Sequence, residues 1–348
     1  MIFKAAAPSA EFRHLNATRF GIFRALRGTH HSARGTNSVA ALLAMLLRPR
    51  ALPPNGHIAV LAASSPSELG RIEIAKRNLE ARGFRVSLAP NIAEHHRGYL
   101  AGNDDVRLQH LNDALRADDV DAIFFSRGGY GAMRILDRID YEALRRNPRP
   151  VVGFSDITAL HQAFAIHSEV ASFHGPMLNS DFYNGLSLEN DRWCWWMLSG
   201  EAPLEHRFHH DQVVSEGEAE GTLFGGCLSI TTALTATPYD YWIDGGIWFW
   251  EDVDEPVYRI DRMLTHLRLS GRLQKVQGVL IGKLKGCGNE AEQSAFLQEF
   301  FGSSGIPVVR DLPFGHYGDN LLLPIGSVVR LSTAEGSLTV TQPVVDRR

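Results

Sequence analysis

The alternation of apolar and polar positions divides the chain into two regimes. From residue 57 to residue 155, short apolar runs alternate with longer segments of helical spacing. His57–Ala63, Phe84–Leu88, Ala122–Phe125 and Pro150–Phe154 read as buried strands. Between them, Glu68–Arg82 and Asp104–Ala117 place apolar residues about one turn apart, and the first ends at Gly83, a good helix stop. A further helix is expected to start over Ala132–Leu136, and another over Ile157–His167. Strands that alternate with helices predict a parallel sheet covered on both faces, with functional loops at the carboxyl ends of the strands. After about residue 185 the pattern changes. A tryptophan-bearing stretch, Leu186–Pro203, leads into short alternating runs such as Gly245–Trp250, Gly278–Ile281 and Val328–Thr333. The expected architecture is therefore α/β: a parallel-sheet, flavodoxin- or Rossmann-like N-terminal domain over 52–190, a linker over 191–212, and a mainly β domain over 213–348, with the site at their interface.

Two loops fall at predicted strand ends. Val151–Phe154 runs into Ser155 and then into helical spacing, the strand–turn–helix order of a nucleophile elbow. The usual G-x-S-x-G pattern is not met, because Ile157 holds the last position. An ordinary helix start capped by Ser155 or Asp156 fits the segment at least as well. Arg127-Gly128-Gly129-Tyr130-Gly131 follows the third strand. Its spacing is not that of a dinucleotide or phosphate loop. Adjacent glycines do let backbone N–H groups turn toward a ligand, which suits an oxyanion hole beside Ser155. A serine nucleophile needs a base, and the base needs an acid to hold it. The strand Ile247–Trp250 runs into Glu251-Asp252, and a carboxylate at the end of a buried strand is costly unless paired. His316 stands on a loop between Pro313-Phe314 and Asn320. Ser155, Glu251 and His316 follow one another in an order that α/β-hydrolases also use. A surface ion pair and a backbone-bonded loop histidine remain the plainer readings of the last two.

Composition narrows the picture. The chain has 348 residues, 44% hydrophobic and 21% charged, with a net charge of −4, which gives no reason to expect nucleic acid as a partner. No apolar run approaches the length of a membrane span. Three cysteines (Cys194, Cys227 and Cys287) fit a reducing compartment better than a disulfide framework. Fifteen histidines raise the question of a metal, but His30-His31, His95-His96 and His209-His210 are adjacent pairs that diverge, and no H-E-x-x-H occurs. Residues 1–51 are rich in arginine and hold a single acid, Glu11. They read as a flexible tail or as upstream sequence from an early start codon.

With these motifs in hand, the chain resembles the LD-carboxypeptidases, also called muramoyltetrapeptide carboxypeptidases, a family that includes the microcin C immunity peptidases. Six segments in order carry the resemblance: Tyr99–Asp104, Arg127–Gly131, Gly153–Asp156, His174–Met177, Glu251–Arg262 and Gly315-His316. It implies Ser155 as nucleophile, His316 as general base and Glu251 as the residue that orients it. It implies an oxyanion hole from the N–H groups of Gly129 and Asp156, a homodimer, no metal and no cofactor. The implied reaction is removal of terminal D-alanine from a peptidoglycan-derived tetrapeptide in the cytoplasm. Arg127 is the candidate for the substrate carboxylate, with Gly128 and Tyr130 beside it. Cys227 stands where the family usually has asparagine. Two other readings are a microcin-type peptidase, needing an aromatic platform from Trp193, Trp195, Trp196 or Trp242, and a binding protein with a silent site.

Overall fold

The computed structural model describes residues 46–347. The expectation for the leader lies outside these residues up to position 45. Its last stretch is paired: Leu47 bridges Val170 and Arg50 bridges Asp346, so the ordered chain starts earlier than residue 52.

The chain runs β1 (His57–Leu61), α1 (Leu69–Ala81), β2 (Arg85–Leu88), α2 (Asp104–Arg116), β3 (Ala122–Phe125), α3 (Tyr141–Arg146), β4 (Val151–Gly153), α4 (Thr158–Ala163), β5 (Ser172–His174) and α5 (Leu188–Ser199). It continues through β6 (Leu204–Arg207), β7 (Val213–Ser215), β8 (Glu218–Cys227), α6 (Leu228–Leu234), β9 (Ile247–Glu251), α7 (Val257–Leu269), β10 (Gly278–Gly282) and α8 (Glu290–Phe301). It closes with β11 (Val308–Leu312), β12 (Leu323–Ile325), β13 (Val328–Ser332) and β14 (Ser337–Val340). The first sheet has the order β12-β5-β4-β3-β1-β2, and the second β6-β14-β13-β8-β9-β10-β11-β7. Strands β1 to β5 pair in parallel, and β8 to β11 form a second parallel block.

Strand periodicity explains how the layers join. On β1, Ala59 and Leu61 belong to the core under α2 and α4, while Ile58 and Val60 face the other way. That second face shares one continuous core with Ile247, Phe249 and Leu280 of the second sheet. Trp248 and Trp250, one position out of phase, pack instead with Ile260 and Leu264 of α7. Both sheets lie within a single compact unit.

Five features depart from the sequence pattern. The mainly β half carries α6, α7 and α8, and the buried positions of α7, Ile260, Leu264 and Leu267, do have helical spacing. Residues 191–212, expected as a linker, hold most of α5 and all of β6. The Ser187 cap, which accepts the Asn190 N–H, and the Gly200 stop bound α5. Strand β12 pairs antiparallel with β5, so the chain returns to the first sheet after β11. The run expected as one helix over 157–167 is shorter and irregular: a 3₁₀ turn at Ser155–Ile157, then α4, then a π turn over Phe164–Ser168. The segment after the Gly-rich loop is likewise two 3₁₀ turns, Ala132–Arg134 and Leu136–Arg138.

Candidate active site

Ser155 follows β4 with φ +63°, a left-handed conformation that non-glycine residues seldom adopt. Such strain is the mark of an elbow rather than of a cap. Close packing holds it. A Cβ on Gly153 would lie 3.1 Å from both Ile157 and Phe125, and one on Gly128 would lie 2.7 Å from Ser155 Cβ. The glycine that makes room is thus Gly153, and Ile157, fully buried, fills the space that the usual pattern leaves to its last glycine.

Asp156 ties three loops together. Its Oδ2 accepts from Ser64 Oγ at 2.6 Å and from the Ala132 N–H at 2.8 Å. Burial pushes its pKa up, and the Ser64 hydrogen bond opposes that. Gly129 needs its φ of +102°, and a Cβ there would overlap Ser65 Oγ. Its N–H donates to nothing among the described residues. Ser65 Oγ in turn donates to Tyr99 O and accepts the Tyr130 N–H.

Glu251 ends β9 on the Phe249 side, the face turned to the first sheet, and is completely buried. Its Oε2 accepts from His316 Nδ1 at 2.6 Å, and His316 Nε2 lies 3.0 Å from Ser155 Oγ. A carboxylate only accepts, so Nδ1 carries the proton and Nε2 presents its lone pair to the serine hydroxyl. Burial pushes the His316 pKa down, but the charge and hydrogen bond of Glu251 outweigh it, and the net shift is upward. Burial likewise pushes Glu251 up, and His316 outweighs it, so Glu251 stays below the usual carboxylate range. The two stabilise each other as an ion pair if His316 takes a proton. Position 315 must be glycine for this contact: φ is +90°, and a Cβ would sit 2.5 Å from Glu251 Oε2. Buried Asn320 receives the Gly315 N–H at 2.9 Å and holds the loop closed.

These groups face a cleft of about 510 Å³ lined on one side by Arg71, Arg127, Gly128 and Gly129 and on the other by Lys285, Gly315 and His316. Arg127 donates to Pro66 O at 3.1 Å and has no carboxylate partner among the described residues. Tyr130 does not line the cleft; its ring lies 5.9 Å from that of Tyr99. Sequence reasoning missed Arg71, Lys285 and Asp181. Arg71 pairs with Glu68 at 2.8 Å. Lys285 lines the cleft, and its ammonium has no ion-pair partner among the described residues. Asp181 is a buried carboxylate that accepts from the Met177 N–H and Ser180 Oγ. Only the family-like segment His174–Met177, next to Asp181, signalled that this stretch reaches the cleft.

Cys227 lies beside Glu251 across the β8–β9 pair. It is buried, and burial first, then the charges of Glu251 and Asp252, raise its thiol well above the ordinary value, so it is no second nucleophile. None of the four candidate tryptophans lines the cleft. Trp193 is bonded to Leu322 O, Trp195 stacks on Phe84, Trp196 lies in a different groove and Trp242 is bonded to Arg272 O. Among the described residues no cluster suits a metal ion.

A serine on a strained elbow, hydrogen-bonded to an imidazole that a buried carboxylate orients, is the arrangement of a serine hydrolase. The chain belongs to the LD-carboxypeptidase family: its residues 58–175 match the LD-carboxypeptidase N-terminal domain and 220–331 the C-terminal domain. It is 33% identical over 304 residues, 84% of this chain and 94% of the other, to the "Probable murein peptide carboxypeptidase" of Bacillus subtilis. A crystal structure of muramoyltetrapeptide carboxypeptidase from Oxalobacter formigenes superposes with a TM-score of 0.72 at 32% identity, covering 81% of this chain and 97% of that one. The structure of MccF in complex with glutamyl sulfamoyl guanosine shares the fold, with a TM-score of 0.79 at 21% identity over 86% of this chain and all of that one. The protein is a serine-type carboxypeptidase, and no helix among the described residues is long and apolar enough to cross a membrane.

Proposed function

We propose that the protein removes the terminal D-alanine from murein tetrapeptides by cleaving the bond that follows an L-centre. The chain Ser155–His316–Glu251, with links of 3.0 and 2.6 Å at the mouth of a cleft, carries this reading. The cleft contains Arg71, Arg127 and Lys285 against one carboxylate, Asp181, a balance suited to an anionic peptide.

Ser155 Oγ attacks the scissile carbonyl carbon while His316 Nε2 takes its proton. The N–H groups of Gly129 and Asp156 receive the oxyanion. The C–N bond then breaks, His316 returns the proton to the leaving amine, and D-alanine departs, leaving an ester on Ser155. Water adds with His316 as base, and the shortened peptide and free Ser155 are regenerated. Arg127 binds the terminal carboxylate. The two sheets act as two domains that share the site. The homodimer rests on the resemblance alone. A cytoplasmic location is supported by three buried, unpaired cysteines.

The test is D-alanine release from a murein tetrapeptide by wild type and Ser155→Ala. Turnover by wild type with a loss of at least about 10³-fold in the variant is expected. No release by wild type overturns the substrate, and equal release by both overturns the nucleophile. An aminoacyl sulfamoyl nucleoside, offered as a second substrate, is expected to turn over far more slowly, since no tryptophan lines the cleft.

A further inference from the structure

His174 ends β5 and takes part in no step above. It is fully buried, and neither ring nitrogen has a hydrogen-bond partner among the described residues. The other buried histidine of this region, His161, is satisfied at both nitrogens, Nδ1 with Ser172 Oγ at 2.9 Å and Nε2 with Gly153 O at 2.8 Å. Burial is the reason both are held neutral, with pKa values pushed down to about 3 for His174 and about 4 for His161. A neutral imidazole has one N–H to give, and leaving it unused in a dry interior is costly.

Three rings surround His174, those of Phe154, Phe249 and Phe314, with centroids at 5.8, 5.1 and 6.1 Å. Phe154 immediately precedes Ser155, Phe249 lies two positions before Glu251, and Phe314 lies two before His316. His174 is thus packed on a ring within two residues of every member of the Ser155–His316–Glu251 set. The set has an unmet need of its own. Glu251 Oε2 is engaged by His316, but Oε1 is buried with no partner among the described residues. Glu251 and His174 lie close enough for each to favour the charged form of the other. One buried site therefore holds an acceptor without a donor beside a donor without an acceptor.

We infer that His174 is a positioning residue for Glu251: its N–H supplies the hydrogen bond that Oε1 lacks, directly after a small shift of the ring or through one enclosed water. The inference rests on the reading of Glu251 as the residue that orients His316. Held at both oxygens, the carboxylate has one orientation to offer Nδ1, much as partners behind a ligating histidine fix its tautomer.

The experiment follows the NMR titration of His316 in wild type, His174→Gln and His174→Leu. It needs no substrate, so it stands even if the peptidase reading falls. Besides His174 and Glu251, the groups that act on this titration are Asp252 at the end of β9 and Asp181 in the turn after β5, while His161 on α4 acts on His174 itself; none is changed by the variants. Removing a donor from a carboxylate raises the affinity of the pair for a proton. The His316 midpoint is expected to rise by roughly half to one pH unit in His174→Leu and to stay within about 0.3 of wild type in His174→Gln, which keeps an N–H. With a tetrapeptide substrate, kcat falls about tenfold in His174→Leu, with KM within twofold. Identical midpoints in all three proteins overturn the proposal, as does a glutamine variant that behaves like leucine. A merely structural role lowers the melting temperature and leaves the midpoint in place. If the leucine variant does not fold, a high-resolution structure of wild type decides: a link from His174 to Oε1 supports the proposal, and a different partner for both ring nitrogens overturns it.

Discussion

The two sides of the cleft are built by different means. On the first sheet, Ser155 gets its geometry from its immediate neighbours: β4 before it, a 3₁₀ turn after it and a forced φ of +63°. On the second side, Glu251 and His316 are separated by 65 residues and meet because β9 ends beneath a loop that Gly315 and Asn320 hold shut. The serine side stores its precision as local strain, and the glutamate–histidine side stores it as long-range packing. Local strain is hard to remove without removing the residue, whereas packing is open to disturbance at many positions.

The largest effects test whether the two sides act as one. Glu251→Gln keeps the size of the side chain but lets an amide face Nδ1. A loss in kcat of about 10³- to 10⁴-fold is expected, near that of Ser155→Ala, because the wrong tautomer is then favoured. NMR titration of the same variant is expected to show a lower His316 pKa, since the carboxylate that outweighs the effect of burial is gone. If Glu251→Gln retained wild-type kcat, the two sides would be independent.

A smaller effect, about 10²-fold in kcat, is expected of Gly315→Ala, whose Cβ displaces Glu251 Oε2 on one side only. Circular dichroism on the same sample separates this from loss of fold. Ile157→Ala probes the other side and sharpens the contrast. It removes buried volume behind the elbow and costs about 3 kcal/mol in chemical denaturation, with kcat changed only a few-fold. A large loss of kcat without loss of stability would mean that the elbow depends on Ile157 for its geometry and not only for its support.

The smallest effect is the pH profile of the intact protein. The base must be neutral, and Glu251 raises the pKa of His316 above its ordinary value of 6.5. Activity is therefore absent in acid and rises with pH through a midpoint above 6.5, read from kcat/KM. A midpoint below 6.5 would mean that burial outweighs the glutamate.

Much of this was legible in the sequence for a physical reason. Strands β1, β3 and β4 are buried on both faces and read as apolar runs. Ser155 and the Gly-rich loop fall at their ends, and Glu251 is an acid at the end of a run too apolar to leave it unpaired. The 3₁₀ and π turns around α4 were not legible, because they replace a regular helix only under the constraint of the elbow and of Gly153 against Ile157. The motif Tyr99–Asp104 proved structural: Asn103 caps α2, and Asp104 receives Arg134 and Arg107.

The local devices are written into the order of the residues: which runs become strands, where the strained turn lies, and which residues carry reactive atoms. These follow from side-chain period, backbone freedom and the cost of burying charge, all of which act over a few residues. Only the tertiary structure decided that β12 returns to pair with β5, drawing the His316 loop across from the second sheet to Ser155. It alone decided that Arg71, Asp181 and Lys285 share the cleft, and that His174 lies behind all three reacting groups. Such contacts join residues far apart in the chain, and they exist only once the common core between the sheets is packed.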